Sequence, residues 1–143
     1  MPLDQENGAI GYLLSRTYFV HKKRTTDMLS EYGITPEQFG ILDQLYKHEG
    51  ITQKTLAELH GKDQTSVGKT LERLENKNLV HRKTDPADRR AILLTLSEEG
   101  RELYKQVLPL MDDLHQYLSR LITPEGVNEL ARLLNIIYKD LSS

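Results

Sequence analysis

Residues 52–96 read TQKTLAELHGKDQTSVGKTLERLENKNLVHRKTDPADRRAILLTL, and the changes of period within this stretch decide the fold. Thr52 is an N-cap for a short helix that carries Leu56, Ala57 and Leu59 and ends at His60, because its side-chain oxygen can accept one of the orphan N–H groups of a first turn. Gly61 breaks the chain, and Asp63 caps a second helix running to about Lys77, with Val67, Leu71 and Leu74 on one face. Gln64, Thr65, Ser66, Lys69, Thr70 and Arg73 are left to look outward. Asn78 stands where a left-handed residue would end that helix. Beyond it the period drops to two: Leu79–Thr84 and Ala91–Leu96 read as strands, the second alternating through Ile92, Leu94 and Leu96. The turn-rich segment Asp85-Pro86-Ala87-Asp88, with Arg89 and Arg90, joins them.

Upstream, Thr35-Pro36-Glu37-Gln38 combines an N-cap, a proline at the first helical position and a capping-box glutamine, and starts a helix that buries Phe39, Ile41, Leu42 and Leu45. Before it, a helix from about Gly8 to Tyr32 places Ile10, Leu14, Tyr18 and His21 near one face, and Gly33 ends it. Downstream, Ser97 and Thr123-Pro124 start two further helices. Their stripes, Leu103, Val107, Leu110, Leu114 and Leu121 in one and Val127, Leu130, Leu134, Ile137 and Leu141 in the other, have little in their own chain to cover them.

The expected fold is mainly α with a small β-hairpin. Residues 35–96 form a winged helix-turn-helix, a DNA-binding region, and residues 1–34 and 97–143 form helical dimerisation arms. The major groove of B-DNA admits one α-helix, and side chains of its first turns reach base edges, which suits Gln64, Thr65 and Ser66. Lys69 and Arg73 lie further along, within reach of flanking phosphates. Arg89 and Arg90 at the hairpin tip can enter a neighbouring minor groove, with Asp88 holding an arginine in place. Gly68 is costly inside a helix, by about 1 kcal/mol, so either the backbone approaches DNA closely there or the site is tolerated.

Charge distribution agrees with this division. The whole chain carries −2, but Gly61 to Leu94 holds eight Lys and Arg against five Asp and Glu, a basic middle between acidic flanks. The 143 residues can bury a core without staples, and the absence of cysteine excludes disulfides, thiolate metal sites and thiol-based sensing. No membrane span or leader is expected, which places the protein in the cytoplasm. His21, His48, His60, His81 and His115 show no pair at helical ligand spacing, so neither metal nor cofactor is expected. No nucleophile with a base, paired carboxylates in a cleft, or phosphate loop stands out; Glu98-Glu99 and Asp112-Asp113 point different ways on helices, so no catalytic residue is assigned.

Two segments carry a resemblance. Asp85-Pro86-Ala87-Asp88-Arg89-Arg90-Ala91-Ile92-Leu93-Leu94-Thr95-Leu96-Ser97-Glu98-Glu99-Gly100 closely resembles the wing signature of the multiple antibiotic resistance regulator (MarR) family, and Asp63 to Val67 with Leu71 to Glu75 resembles its recognition helix. Asn78 replaces the glycine usual in that family, a conservative change for a helix end. The resemblance implies a homodimeric repressor of a pseudopalindromic operator in double-stranded DNA, dimerising through its first and last helices. It makes Arg90 the minor-groove finger, Asp88 its orienter and Arg89 a backbone contact. It also implies a small amphipathic or phenolic effector, for which Tyr18, His21 and Phe39 are the candidate pocket residues. The alternative from another class is a winged-helix and coiled-coil adaptor that uses its basic wing for an acidic protein; the polar first turn at Gln64 argues against it, since protein-binding faces place aromatic or apolar anchors there.

Overall fold

The computed structural model describes residues 9–61 and 63–143, so the expected helix start at Gly8 and the charge of Lys62 lie outside the described residues. The chain divides into two compact units, residues 1–107 and 108–143. In the first, helix α1 (Ile10–Leu29) continues into one 3₁₀ turn, Ser30–Tyr32, and stops at Gly33, whose φ of 71° requires a residue without a Cβ penalty. Helix α2 (Pro36–Lys47) then starts on the expected capping box: the Thr35 hydroxyl accepts the N–H of Gln38, and the Gln38 side chain accepts the N–H of Thr35. Strand β1 (Ile51–Thr52), helix α3 (Gln53–His60), helix α4 (Gln64–Asn76), strands β2 (Val80–Asp85) and β3 (Asp88–Leu96), and the start of helix α5 (Glu98–Ile122) complete the unit.

Its core is the set of stripes that the periodicity singles out. Leu29, Ile41, Leu42, Leu45, Leu56, Val67, Leu71, Leu74 and Leu94 are fully buried. At about 25 cal/mol per Å² of apolar surface, such leucines contribute roughly 1.5–3 kcal/mol each, which fixes α4 against α2, α3 and the sheet. Two expectations differ. Leu59 is half-exposed, because it falls on the opposite side of α3 from the buried Ala57, and Ile92 is also exposed because β3 continues past the part of the sheet that packs on the helices. The hairpin is one edge wider than expected: β1 pairs with β3 through Ile51 opposite Leu94, giving a three-stranded antiparallel sheet in the order β1-β3-β2.

The joint between α4, the sheet and α5 is tightly made. Asn78 adopts φ 62°, as its place at the helix end predicts, and turns the chain so that the Leu79 N–H reaches the Leu74 carbonyl at 3.0 Å. Ser97 N–H donates to the Leu79 carbonyl, its hydroxyl donates to the Asn78 carbonyl, and the same oxygen accepts the N–H of Gly100 as the cap of α5. Gly100 is buried against this turn, and a Cβ there would lie 2.1 Å from the Leu79 carbonyl oxygen. Further along α5, Tyr104 stacks between Phe39 and Tyr46, with ring centroids 5.7 and 4.6 Å away, and donates its hydroxyl to Asp43 at 2.6 Å. The compact units cut α5 near its middle, whereas the arm expected from the sequence begins at Ser97: Gly100, Tyr104 and Val107 are buried within the first unit.

The second unit holds the rest of α5 and helix α6 (Pro124–Ser142), capped by Thr123 as expected. Thr123 sits at φ 70°, ψ 155°, a region that only glycine adopts freely. No residue of α6 is buried, and Leu121, Leu130, Leu134, Ile136 and Leu141 are exposed. Among the described residues, no helix is long and apolar enough to cross a membrane.

Candidate nucleic-acid interface

Helix α4 presents the outward face read from the sequence. Asp63 Oδ1 accepts the Ser66 N–H at 2.8 Å, which closes the first turn and holds the Asp63 carboxyl below its ordinary value of 3.8, chiefly through that backbone bond. Gln64, Thr65, Ser66, Lys69 and Arg73 are exposed and Thr70 is half-buried, its hydroxyl returned to the Ser66 carbonyl at 3.2 Å. Three of the four residues that end in a short polar group therefore sit within one turn of the helix start, the part of a recognition helix that meets base edges.

The wing differs from its expected layout in where the strand begins. The loop is only Pro86-Ala87, tightened by the Ala87 N–H donating to Asp85 Oδ1 at 2.9 Å, so Asp88, Arg89 and Arg90 already belong to β3. Strand residues alternate faces, so Arg89 and Arg90 point to opposite sides of the hairpin while Asp88 and Arg90 share one. Asp88 Oδ1 accepts the Arg90 N–H at 3.0 Å and lies 3.6 Å from its Nε. The Arg90 side chain is 94% exposed, so this ion pair aims the guanidinium without withdrawing it from solvent.

Two clefts divide the candidate residues. One, of about 470 Å³, brings Gln64 at the start of α4 together with Asp88 and Arg90 of the wing, over Thr52, Gln53 and Lys54 at the start of α3. The other, of about 400 Å³, places Thr70 and Arg73 beside Lys22, Thr26 and the start of α2. There Lys22 pairs with Glu37 at 2.9 Å, a bond that raises the lysine above its ordinary value. Neither cleft is lined by Tyr18, His21 or Phe39. Phe39 lies against Tyr104, Tyr18 is exposed with Lys22 over its ring at 5.9 Å, and His21 is exposed.

Sequence reasoning missed the residue that ties these parts together. Arg82 of β2 donates Nε to Glu75 in the last turn of α4, Nη1 to Gln53 Oε1 at 3.1 Å and Nη2 to the Gly68 carbonyl at 3.4 Å. A Cβ at Gly68 would lie 3.2 Å from the Gln53 amide nitrogen, the outer end of that side chain. Lys77 likewise bridges the end of α4 to the Gly33 carbonyl and to Gln38 Oε1, the latter at 2.8 Å. In the sequence both cations were only part of a positive count.

The fold is shared with known proteins. The MarR family profile matches residues 32–91, from the end of the 3₁₀ turn into β3. The chain is 34% identical over 90 residues to the uncharacterised HTH-type transcriptional regulator YsmB of Bacillus subtilis, covering 61% of this chain and 60% of that protein. It is 30% identical over 114 residues to YdcH, a second uncharacterised HTH-type regulator of the same bacterium, covering 77% and 78%. Among solved structures, the S. aureus MepR–DNA complex superposes with a TM-score of 0.86 at 25% identity over 92% of this chain and 98% of that one. The profile spans the helix-turn-helix and the wing tip, the structural match extends over 92% of the chain, and the chain belongs to the MarR family.

Proposed function

We propose that this protein is a transcriptional regulator that binds double-stranded operator DNA as a homodimer and represses from it, in the cytoplasm and without a catalytic step. The observation that carries the reading is the cleft where Gln64 of α4 and the outstretched Arg90 of the wing face the same space. A groove-reading helix and a basic finger beside it are what two adjacent grooves of one duplex require. The S. aureus MepR complex, a structural neighbour bound to DNA, supports it. In this reading Gln64, Thr65 and Ser66 read bases, Lys69, Thr70, Arg73 and Arg89 meet the backbone, and Arg90, oriented by Asp88, enters the minor groove.

Homodimerisation is supported by the uncovered apolar residues of α1 and α6, Ile10, Leu14, Leu130 and Leu141 among them, which a lone chain would leave in water. Residues 1–34 and 97–143 would supply the interface. A small amphipathic effector acting near Tyr18, His21 and Phe39 would release DNA by favouring a half-site spacing that no longer matches successive grooves.

The test is binding of the full chain to duplexes selected from a random pool, across a salt series, with a scrambled control. The expected result is a two-fold symmetric preferred site and a steep salt slope, which Arg90→Ala flattens by about one unit. Gln64→Ala is expected to change which sequence is preferred, leaving the slope as it was. Equal affinity for selected and scrambled duplexes would refute the reading and favour the protein-binding adaptor.

A further inference from the structure

We propose that Arg82 is a positioning residue for DNA recognition: it locks the wing hairpin to the recognition helix and so sets the distance between Arg90 and the first turn of α4. The inference rests on the operator-binding reading above. The side chains that Arg82 bonds, Glu75 and Gln53, are not among those expected to face DNA. Its side chain is only 25% exposed, and the nitrogens of its guanidinium are turned inward onto Glu75, Gln53 and the Gly68 carbonyl.

The geometry is that of a strut. Gly68 and Glu75 are seven residues apart on α4, and the Gly68 carbonyl and the Glu75 carboxylate reach the same guanidinium, so one side chain holds the helix through two of its turns. Two points fix a direction as well as a position. The third partner, Gln53, is the first residue of α3, so the helix-turn-helix is gripped on both of its helices. At its other end Arg82 belongs to β2 and pairs with Leu94 of β3, the strand that carries Asp88 and Arg90 to the tip. A planar guanidinium with donors diverging in one plane can make all three bonds at once; a lysine ammonium on a flexible stem cannot hold the same angles.

The consequence is that the hairpin cannot swing without breaking charge-assisted bonds to α4. A duplex that fits the helix but displaces the minor groove is then penalised, so discrimination between DNA sequences depends on a residue that contacts none of them.

The experiment compares the full chain with Arg82→Gln and Arg82→Lys, using the duplex selected by the unaltered protein and its scrambled control. The ratio of the two affinities is read from one preparation, at a temperature where circular dichroism shows each variant folded, so an inactive fraction cancels. A merely stabilising arginine would leave that ratio unchanged. Both variants are expected to lower it roughly tenfold while keeping the salt slope of the unaltered chain. An unchanged ratio overturns the proposal, and so does a slope reduced by about one at unchanged ratio, which would make Arg82 a direct phosphate contact.

A second measurement needs no DNA. Because the chain has no cysteine, spin labels placed through Ala87→Cys and Lys69→Cys are unique, and labelled chains diluted into unlabelled protein report the wing-to-helix distance within one chain. Arg82→Gln is expected to broaden that distribution; an unchanged width overturns the strut. Should the unaltered protein prefer no duplex at all, the operator-binding reading falls and the recognition role with it, while the label distances still decide whether Arg82 braces the hairpin.

Discussion

Replacing Gly100 by alanine tests the joint on which the wing and the recognition helix both depend. The added Cβ would lie 2.1 Å from the Leu79 carbonyl oxygen and 3.0 Å from its carbon, and both are backbone atoms. Ordinary contact begins near 3.4 Å, so α5 and the turn must separate by about 1.3 Å in a region packed like a crystal. That turn is held by the Ser97 N–H on the Leu79 carbonyl at 3.0 Å and the Ser97 hydroxyl on the Asn78 carbonyl at 2.6 Å, neither of which survives such a shift intact. Overpacking costs about 1–3 kcal/mol, and two weakened hydrogen bonds add about 1 kcal/mol each. The better helix propensity of alanine returns about 1 kcal/mol, leaving a net loss of roughly 2–4 kcal/mol. For a chain of this size that is a fall in Tm on the order of 10 °C.

The assay is urea and thermal unfolding followed by circular dichroism at one fixed protein concentration, since association makes Tm depend on concentration. Glu72→Ala is the control: it lies exposed on α4, outside the proposed dimer arms, and should change stability by no more than about 0.5 kcal/mol. A Gly100→Ala variant as stable as the unaltered chain would refute the close-approach argument.

Two further perturbations probe the same framework. Asp63 is held below its ordinary value by the Ser66 N–H, so its cap contribution is complete above about pH 4 and is lost as pH falls through the lower folded value. Asp63→Asn keeps an acceptor and should abolish that acid dependence, read from exchange of the Ser66 amide; persistence of the same titration would point to another group. Tyr104→Phe keeps the stack on Phe39 and Tyr46 but removes the 2.6 Å bond to the Asp43 carboxylate, for an expected loss of about 1.5–3 kcal/mol in urea unfolding. Asp43 keeps Lys47 at 3.0 Å, so a loss above 3 kcal/mol would mean that the ring itself has moved.

What was legible in the sequence was local. Thr35, Thr52, Asp63, Ser97 and Thr123 all cap helices as read, because a cap is decided within three residues of itself. Asn78 was legible for the same reason: its left-handed turn needs only the helix before it. Strand β1 was not, since Ile51 and Thr52 become a strand only by pairing with residues some forty positions away. Leu59 looked buried because a short helix offers too few turns to separate its two faces by period. Arg89 and Arg90 were placed on a turn because Asp and Pro signal one, yet two residues suffice to close the hairpin and the strand starts early. Arg82 was illegible in kind, since its meaning lies in three partners drawn from separate elements, and a charge count records none of them.

The corner at Thr123 ties α6 to concentration. A β-branched residue at φ 70°, ψ 155° costs about 1–3 kcal/mol and lasts only where its surroundings enforce it. The helix that follows buries none of its 19 residues within this chain. In the dimer proposed above, the enforcing contacts come from association, so the last helix would loosen as the protein is diluted, and subunit exchange would begin at this corner. At low abundance α6 would then be exposed to proteases, and abundance would feed back on lifetime.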